Sequence, residues 1–500
     1  MSNSTTEIAD IIIIGAGVSG IGCASYLQRR HPHRKWTILE ARDRIGGTWD
    51  LFRYPGIRSD SDLYTFSYEF KPWASENSIA SADEILSYLH ETVEENSLSD
   101  RISFNQKVLS ANWDHAVGLW TLKVENTLTG ETHNFQARWI FGAAGYYDYE
   151  EGFRPDFEGE ASFKGDIIHP QFWPEDFDYS GKKIAVIGSG ATAVTIVPSM
   201  TDRAGHVVQI QRTPTYIVPR PRKDKLALAL RRWLPKQVAH ALIRWKNIRI
   251  QRLFFLYCQK FPGHARKTIM KMNKRNLPAN YPAETHFTPP YNPWDQRLCA
   301  VPDADFFSDI RMKKASVVTG HIERFTETGV EMKSGEHIEA DAIILATGLK
   351  LQMFGGVKLS VAGEALTISD RLVYRGMMLD GVPNFCFAQG YTNSSWTLKV
   401  GLVCEHFCDL LTEMDKQGAL VCTPEKPADA QENRPLLDFD AGYVKRAESI
   451  LPKQGKDFPW EMNSSYIADK RAFKSREVLQ PELKLTWPSA HSTQTEIAQS

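Results

Sequence analysis

Two glycine-rich turns carry the clearest chemistry in this chain of 500 residues. The first, Gly15-Ala16-Gly17-Val18-Ser19-Gly20, follows the apolar run Ile11-Ile12-Ile13-Ile14. The second, Gly188-Ser189-Gly190-Ala191-Thr192-Ala193, follows Lys182-Lys183-Ile184-Ala185-Val186-Ile187. Each reads as a buried strand turning sharply into a helix, whose free N–H groups suit a diphosphate. Gly15 suits the tight turn, Gly17 a close pyrophosphate approach and Gly20 the packing of helix on strand. In the second turn Ala193 takes the last place, an accepted variant. The chemistry is dinucleotide binding, and two such sites on one polypeptide suggest an electron relay.

The strand after each turn separates the two ligands. Trp36-Thr37-Ile38-Leu39 ends in Glu40, a carboxylate able to bind both hydroxyls of an adenosine ribose and to repel a 2′-phosphate. The first site therefore suits FAD or NAD. Gly46-Gly47-Thr48-Trp49, close behind, lets backbone approach a second part of the cofactor, which fits FAD better. Tyr54-Pro55-Gly56 and Asp60 follow. After the second turn, His206-Val207-Val208-Gln209-Ile210 leads into Gln211-Arg212-Thr213-Pro214. A guanidinium binds a phosphate dianion through a fork of donors, so Arg212 and Thr213 favour NADPH over NADH. The plainer alternative makes Arg212 a surface cation only.

These residues need two strand–turn–helix units to position them. The expected fold is α/β, with two Rossmann-like dinucleotide-binding domains, for FAD and NADP, and a helical insert in the NADP domain. The expected division assigns 1–150 to the first part of the FAD domain and 151–180 to a linker. It assigns 181–222 and 286–340 to the NADP domain, 223–285 to the insert, 341–478 to the second part of the FAD domain and 479–500 to a loose or disordered tail. Two further runs, Trp139 to Gly145 and Ala342 to Gly348, read as buried strands ending in small-residue turns.

A hydrophobic content of 42% and a net charge of −1 describe a chain that buries a large core and is no nucleic-acid binder. No apolar run reaches the roughly 18 residues of a membrane span, and the N-terminus lacks the features of a secretion signal. A cytosolic location is expected, with contact to a membrane surface left open. The seven cysteines include no Cys-x-x-Cys pair, which argues against a disulfide reductase. Cys404 and Cys408 are expected as buried thiols, and no metal site is read.

The linker adds Phe163-x-Gly165-x-x-x-His169-x-x-x-Trp173-Pro174. This pattern resembles the signature of type I Baeyer–Villiger flavin monooxygenases. Related N- and S-oxygenating flavin monooxygenases generally end it with Tyr or Phe. The chain from Gly46 to Asp60, the stretch Tyr291 to Cys299 and the block Gly390 to Thr397 resemble the same family, in particular its ethionamide-activating mycobacterial subgroup. The resemblance spans roughly residues 8 to 470.

That resemblance implies a reaction and a set of roles. FAD, reduced by NADPH, would bind O2 as a C4a-peroxyflavin that attacks a ketone and inserts one oxygen, giving an ester or lactone. Sulfoxidation of thioethers or thioamides would be a side activity. Arg297 is the implied active-site cation that keeps the peroxide anionic, and Asp60 the carboxylate that orients it. Arg58, Ser59 and Val108 complete the implied cofactor contacts, and Trp396 is placed near the nicotinamide ribose. His169 reads as a domain coupler rather than an acid–base group. One position departs from the family: Gln296 stands where Lys often helps hold the 2′-phosphate, which narrows the margin of NADPH over NADH. Two alternatives remain, an N- or S-oxygenating flavin monooxygenase and a non-catalytic redox-sensing flavoprotein. Small-molecule ketones or sulfides and O2 are the expected partners.

Residues 223–275 carry fifteen Lys and Arg against one acid, Asp224, interleaved with Trp233, Trp245, Phe254, Phe255, Tyr257 and Phe261. One reading is a helix pair lying on anionic lipid. The other, the plainer, is a helical subdomain covering the site with its aromatics in the core.

Overall fold

A computed structural model describes residues 8–296, 298–428, 430, 434–437 and 442–487. Two sheets organise the chain, one of eleven strands and one of five. In the larger, Ile8–Ile14 lies between Trp36–Leu39 and Thr132–Gly142, parallel to both. Its isoleucines alternate between faces: Ile11 and Ile13 join the core under the helix Val18–Arg30, whereas Ile12 and Ile14 join the core on the opposite side. A strand covered on both faces has no place for a polar residue, which explains the unbroken apolar run.

The smaller sheet is wholly parallel, in the order Ala315–Thr319, His206–Gln211, Lys183–Ile187, Ala342–Leu345, Asp166–Ile168. The same alternation recurs, with Ile184 and Val186 in one core and Ala185 and Ile187 in the other. The expected boundary at 341 is therefore displaced: Ala342–Leu345 pairs with Lys183–Ile187, so the chain leaves this sheet only after Leu345. Asp166–Ile168, inside the expected linker, is its edge strand.

Both crossings between the sheets lie side by side. Asp166–Ile168 on the way in pairs with Ala342–Leu345 on the way out. Tyr147–Gly152 and Leu349–Leu351 form an antiparallel ribbon beside them. The signature residues wrap this region. Phe163 is buried on one side of the small sheet and Trp173 packs on the other, against Phe177. Gly165 lies so close to the Asp341 carbonyl that a Cβ would overlap it.

The insert is helical, with Lys225–Trp233, Lys236–Lys260 and Pro262–Asn276 as its main elements. Its aromatics are not in the core as the plainer reading required. Trp233, Trp245 and Phe261 are 76%, 57% and 52% exposed, and Phe254, Phe255 and Tyr257 are only half-buried. The expected tail is also partly ordered: Leu483–Thr486 pairs antiparallel with Val421–Pro424 and buries Leu483, while 488–500 lie outside the described residues. Among the described residues the cysteines form no disulfide and all are buried, Cys404 and Cys408 included, and no helix is long and apolar enough to cross a membrane.

Candidate active site

The two glycine turns open into one cavity of about 1420 Å³. Gly15, Gly17, Ser19, Glu40, Gly47, Thr48, Trp49, Arg58, Ser59, Asp60 and Val108 line it. Gly188, Ser189, Gly190, Ala191, Thr192, Arg212, Thr213 and Trp396 also line it. Gly20 and Ala193 do not, nor do Phe163, Gly165, His169, Trp173 and Pro174. Arg297 is outside the described residues, but its neighbours Gln296 and Leu298 are on the wall.

The first turn is built as a cradle. Gly15 has φ +102°, and a Cβ there would stand 2.9 Å from the Ala143 carbonyl oxygen, a fit only glycine makes without strain. A Cβ on Gly20 would overlap the Gly15 carbonyl, so the helix seats directly on the turn. Glu40 is buried, accepting from the Ala16 N–H at 2.7 Å and the Arg42 N–H at 3.0 Å. Burial raises its carboxyl pKa, and those two N–H groups and the Arg42 cation oppose the rise. Its oxygens keep acceptor capacity toward the cavity. Behind Gly47, Arg42 pairs with Asp50 at 2.5 Å and Thr48 Oγ1 meets the Tyr149 hydroxyl at 3.2 Å.

The second turn is more open. A Cβ on Gly190 would meet nothing within 4 Å. Arg212, just beyond His206–Gln211, is exposed and has no ion-pair partner among the described residues. Both turns thus fit a dinucleotide diphosphate, and the groups beyond them differ in the sense a ribose diol and a ribose phosphate require.

Contacts across the cavity couple the halves. A Cβ on Gly56 would overlap Ser199, on the helix Ala191–Met200 that follows the second turn. Burial pushes the Tyr54 hydroxyl up to about 12, and Thr192 on the same helix opposes the rise. His169 Nε2 lies 3.3 Å from the Gly348 carbonyl, and its ring fills the space beside Gly152. Burial lowers its pKa, so the ring is neutral near pH 7. His169 therefore ties together the incoming and outgoing crossings, and it does not face the cavity. Arg58 pairs with Asp305 at 2.5 Å, a further link between the halves.

Trp396 begins the helix Trp396–Gln417; its indole donates to Ser19 Oγ at 3.0 Å and stacks on Tyr146 at 5.0 Å. These contacts hold it against the first turn. Sequence reasoning missed Arg42, Tyr146, Tyr149, Lys445 and Arg446, which line the same cavity, because nothing in their local spacing marks them. Buried Trp294 Nε1 and Asn393 Oδ1, on residues that line the cavity, have no protein partner among the described residues.

A family pattern described as pyridine nucleotide-disulphide oxidoreductase matches residues 12–251. The FAD-containing monooxygenase EthA of Mycobacterium tuberculosis is 47% identical, over 95% of this chain and 96% of its own length. The chain belongs to the FAD-containing monooxygenases. This monooxygenase shares its fold with an oxidized steroid monooxygenase bound to NADP, at TM-score 0.76 and 21% identity over 96% of this chain and all of that one. It shares it equally with cyclohexanone monooxygenase, at TM-score 0.73 and 18% identity over the same share of each chain. The expected resemblance is thus borne out in membership of the FAD-containing monooxygenases, with FAD as cofactor, and in a fold shared with the steroid and cyclohexanone monooxygenases; the α/β class with two nucleotide-binding units is borne out as well.

Proposed function

We propose that this monooxygenase uses NADPH and O2 to convert ketones to esters or lactones, with sulfoxidation of thioethers or thioamides as a side activity. One oxygen atom enters the product and the other leaves as water, the two electrons coming from NADPH. The observation that best supports the reading is the single cavity shared by Glu40, at one strand end, and exposed Arg212, at the other. When bound there, FAD and NADPH supply hydride transfer and oxygen activation.

The protein supplies position and field. Glu40 takes the ribose hydroxyls of FAD, and Arg212 with Thr213 takes the 2′-phosphate of NADPH. Arg297, charged at every working pH, stabilises negative charge on the attacking oxygen. Asp60 orients that cation and balances it, since a desolvated guanidinium without a carboxylate is costly. His169 couples the domains through the Gly348 carbonyl. The Trp173-Pro174 end of the linker favours ketones over amine or sulfide nitrogen and sulfur centres.

Product analysis with a simple ketone and a simple thioether tests the reading. The wild type should form ester from the ketone, and Arg297→Ala should keep FAD and NADPH oxidation while losing ester. Sulfoxide with no ester from the wild type, or wild-type ester yield from the variant, would overturn it.

A further inference from the structure

The helix Lys236–Lys260 carries apolar residues on both sides. Its inward side buries Ala239, Ile243 and Cys258 and adds polar anchors: buried Arg244 donates to the carbonyls of Tyr64, Thr65 and Ser67 at 3.2, 3.1 and 2.8 Å, and Asn247 donates to Asp62 at 2.8 Å. Gln251 also donates to Asp62. The outward face is apolar. Val238, Leu242, Trp245, Leu253 and Leu256 are 47%, 44%, 57%, 65% and 43% exposed. Their spacing of three, four and eight residues puts them on one stripe of a helix that repeats about every 3.6 residues. Arg249 and Lys260 fall on the same stripe. Folding buries apolar faces, so a stripe turned outward along a whole helix is an interaction surface.

Charge selects the partner. Asp224, the one acid among residues 223–275, is held by Lys246 and caps the neighbouring helix. Arg232, Arg249, Arg252 and Lys260 have no carboxylate partner among the described residues and lie instead over Trp233, Trp245, Phe255 and Phe261. A second copy docking through the same patch would set like charges against each other. Exposed tryptophans between unpaired cations match the headgroup region of an anionic bilayer, where indoles bury and cations meet lipid phosphates.

We propose that the helix Lys236–Lys260, with Trp233 and Phe261 at its ends, docks this protein on anionic lipid surfaces. The opposite side of the same helix reaches the cavity through Gln251 and Phe254. Docking therefore sets the active-site wall one helix away from the membrane. An apolar substrate dissolved in the bilayer has a short path inward, a consequence that rests on the proposed function, whereas docking itself does not.

The test uses full-length, FAD-loaded protein with vesicles of phosphatidylcholine alone and of phosphatidylcholine with phosphatidylglycerol, at low and high NaCl. Co-sedimentation is expected with the anionic vesicles only, weakening as salt rises, with a blue shift of tryptophan emission. Arg249→Gln with Lys260→Gln should weaken binding about thirtyfold, two surface cations being removed. Trp245→Glu with Leu253→Glu should abolish it while FAD content and NADPH oxidation stay at wild-type levels. Absence of binding by the wild type at low salt, equal binding to neutral vesicles, or full binding by the Trp245/Leu253 variant would each overturn the proposal. So would self-association that the latter variant abolishes in a protein that ignores vesicles.

Discussion

Replacing Arg212 with Ala tests the assignment of the second nucleotide site. The guanidinium lines the cavity just past His206–Gln211, is exposed, and has no acid to neutralise it among the described residues. Its loss therefore strands no buried charge, and the effect reports on the ligand alone. A charge-assisted bond contributes about 1.5–3 kcal/mol when fully made, and exposure keeps this one toward the lower end. With about 1.4 kcal/mol per tenfold, kcat/KM for NADPH should fall roughly ten- to thirtyfold. NADH has no 2′-phosphate, so its kcat/KM should change less than about threefold, well under 1 kcal/mol. Initial rates of both coenzymes in wild type and variant give the two ratios. Equal loss with NADPH and NADH would show a cation that shapes the site generally, and no loss with either would make Arg212 a surface charge.

Gln296→Lys should act in the opposite direction: a second cation on the same wall should raise the NADPH-to-NADH preference about tenfold, by the same arithmetic. Lys399 and Asp469 form a buried pair at 2.8 Å that also takes the Tyr391 hydroxyl at 2.6 Å. Lys399→Met should cost about 3–5 kcal/mol by leaving a buried carboxylate unpaired; thermal unfolding should show a large drop, much of it recovered in Lys399→Met with Asp469→Leu. Burial, with Arg244 nearby, brings His240 down to about 4, and burial also lowers His31, His169 and His406. The unfolded chain then binds more protons than the native one below the free-histidine pKa. This contribution to stability is complete above about pH 6.5 and is lost as pH falls toward about 4. Midpoints measured across that range should fall, and more gently in His240→Phe.

Much of the nucleotide chemistry was legible because it is local. A buried strand, a glycine turn and a helix N-terminus are contiguous, so Gly15, Gly17 and Gly20 and their counterparts at Gly188, Gly190 and Ala193 follow from short-range sterics. The charge at the next strand end, Glu40 or Arg212, lies one strand–turn–helix unit away. The order of the strands was less accessible. Ala342–Leu345 reads as a buried strand in either sheet, and only its pairing with Lys183–Ile187 assigns it.

The sequence by itself determined the two turns, their unlike ribose partners and the basic insert. Only the tertiary structure decided that both turns share one cavity, that His169 meets Gly348 across the paired crossings, and that Leu483–Thr486 is a strand rather than a tail. It also decided which side of Lys236–Lys260 faces inward. With apolar residues on both sides, such as Ile243 within and Trp245 without, its periodicity does not say which side is buried. The choice came from partners distant in the chain: Arg244 donates to the carbonyls of Tyr64, Thr65 and Ser67, and Asn247 and Gln251 to the Asp62 carboxylate, all from one side of the helix.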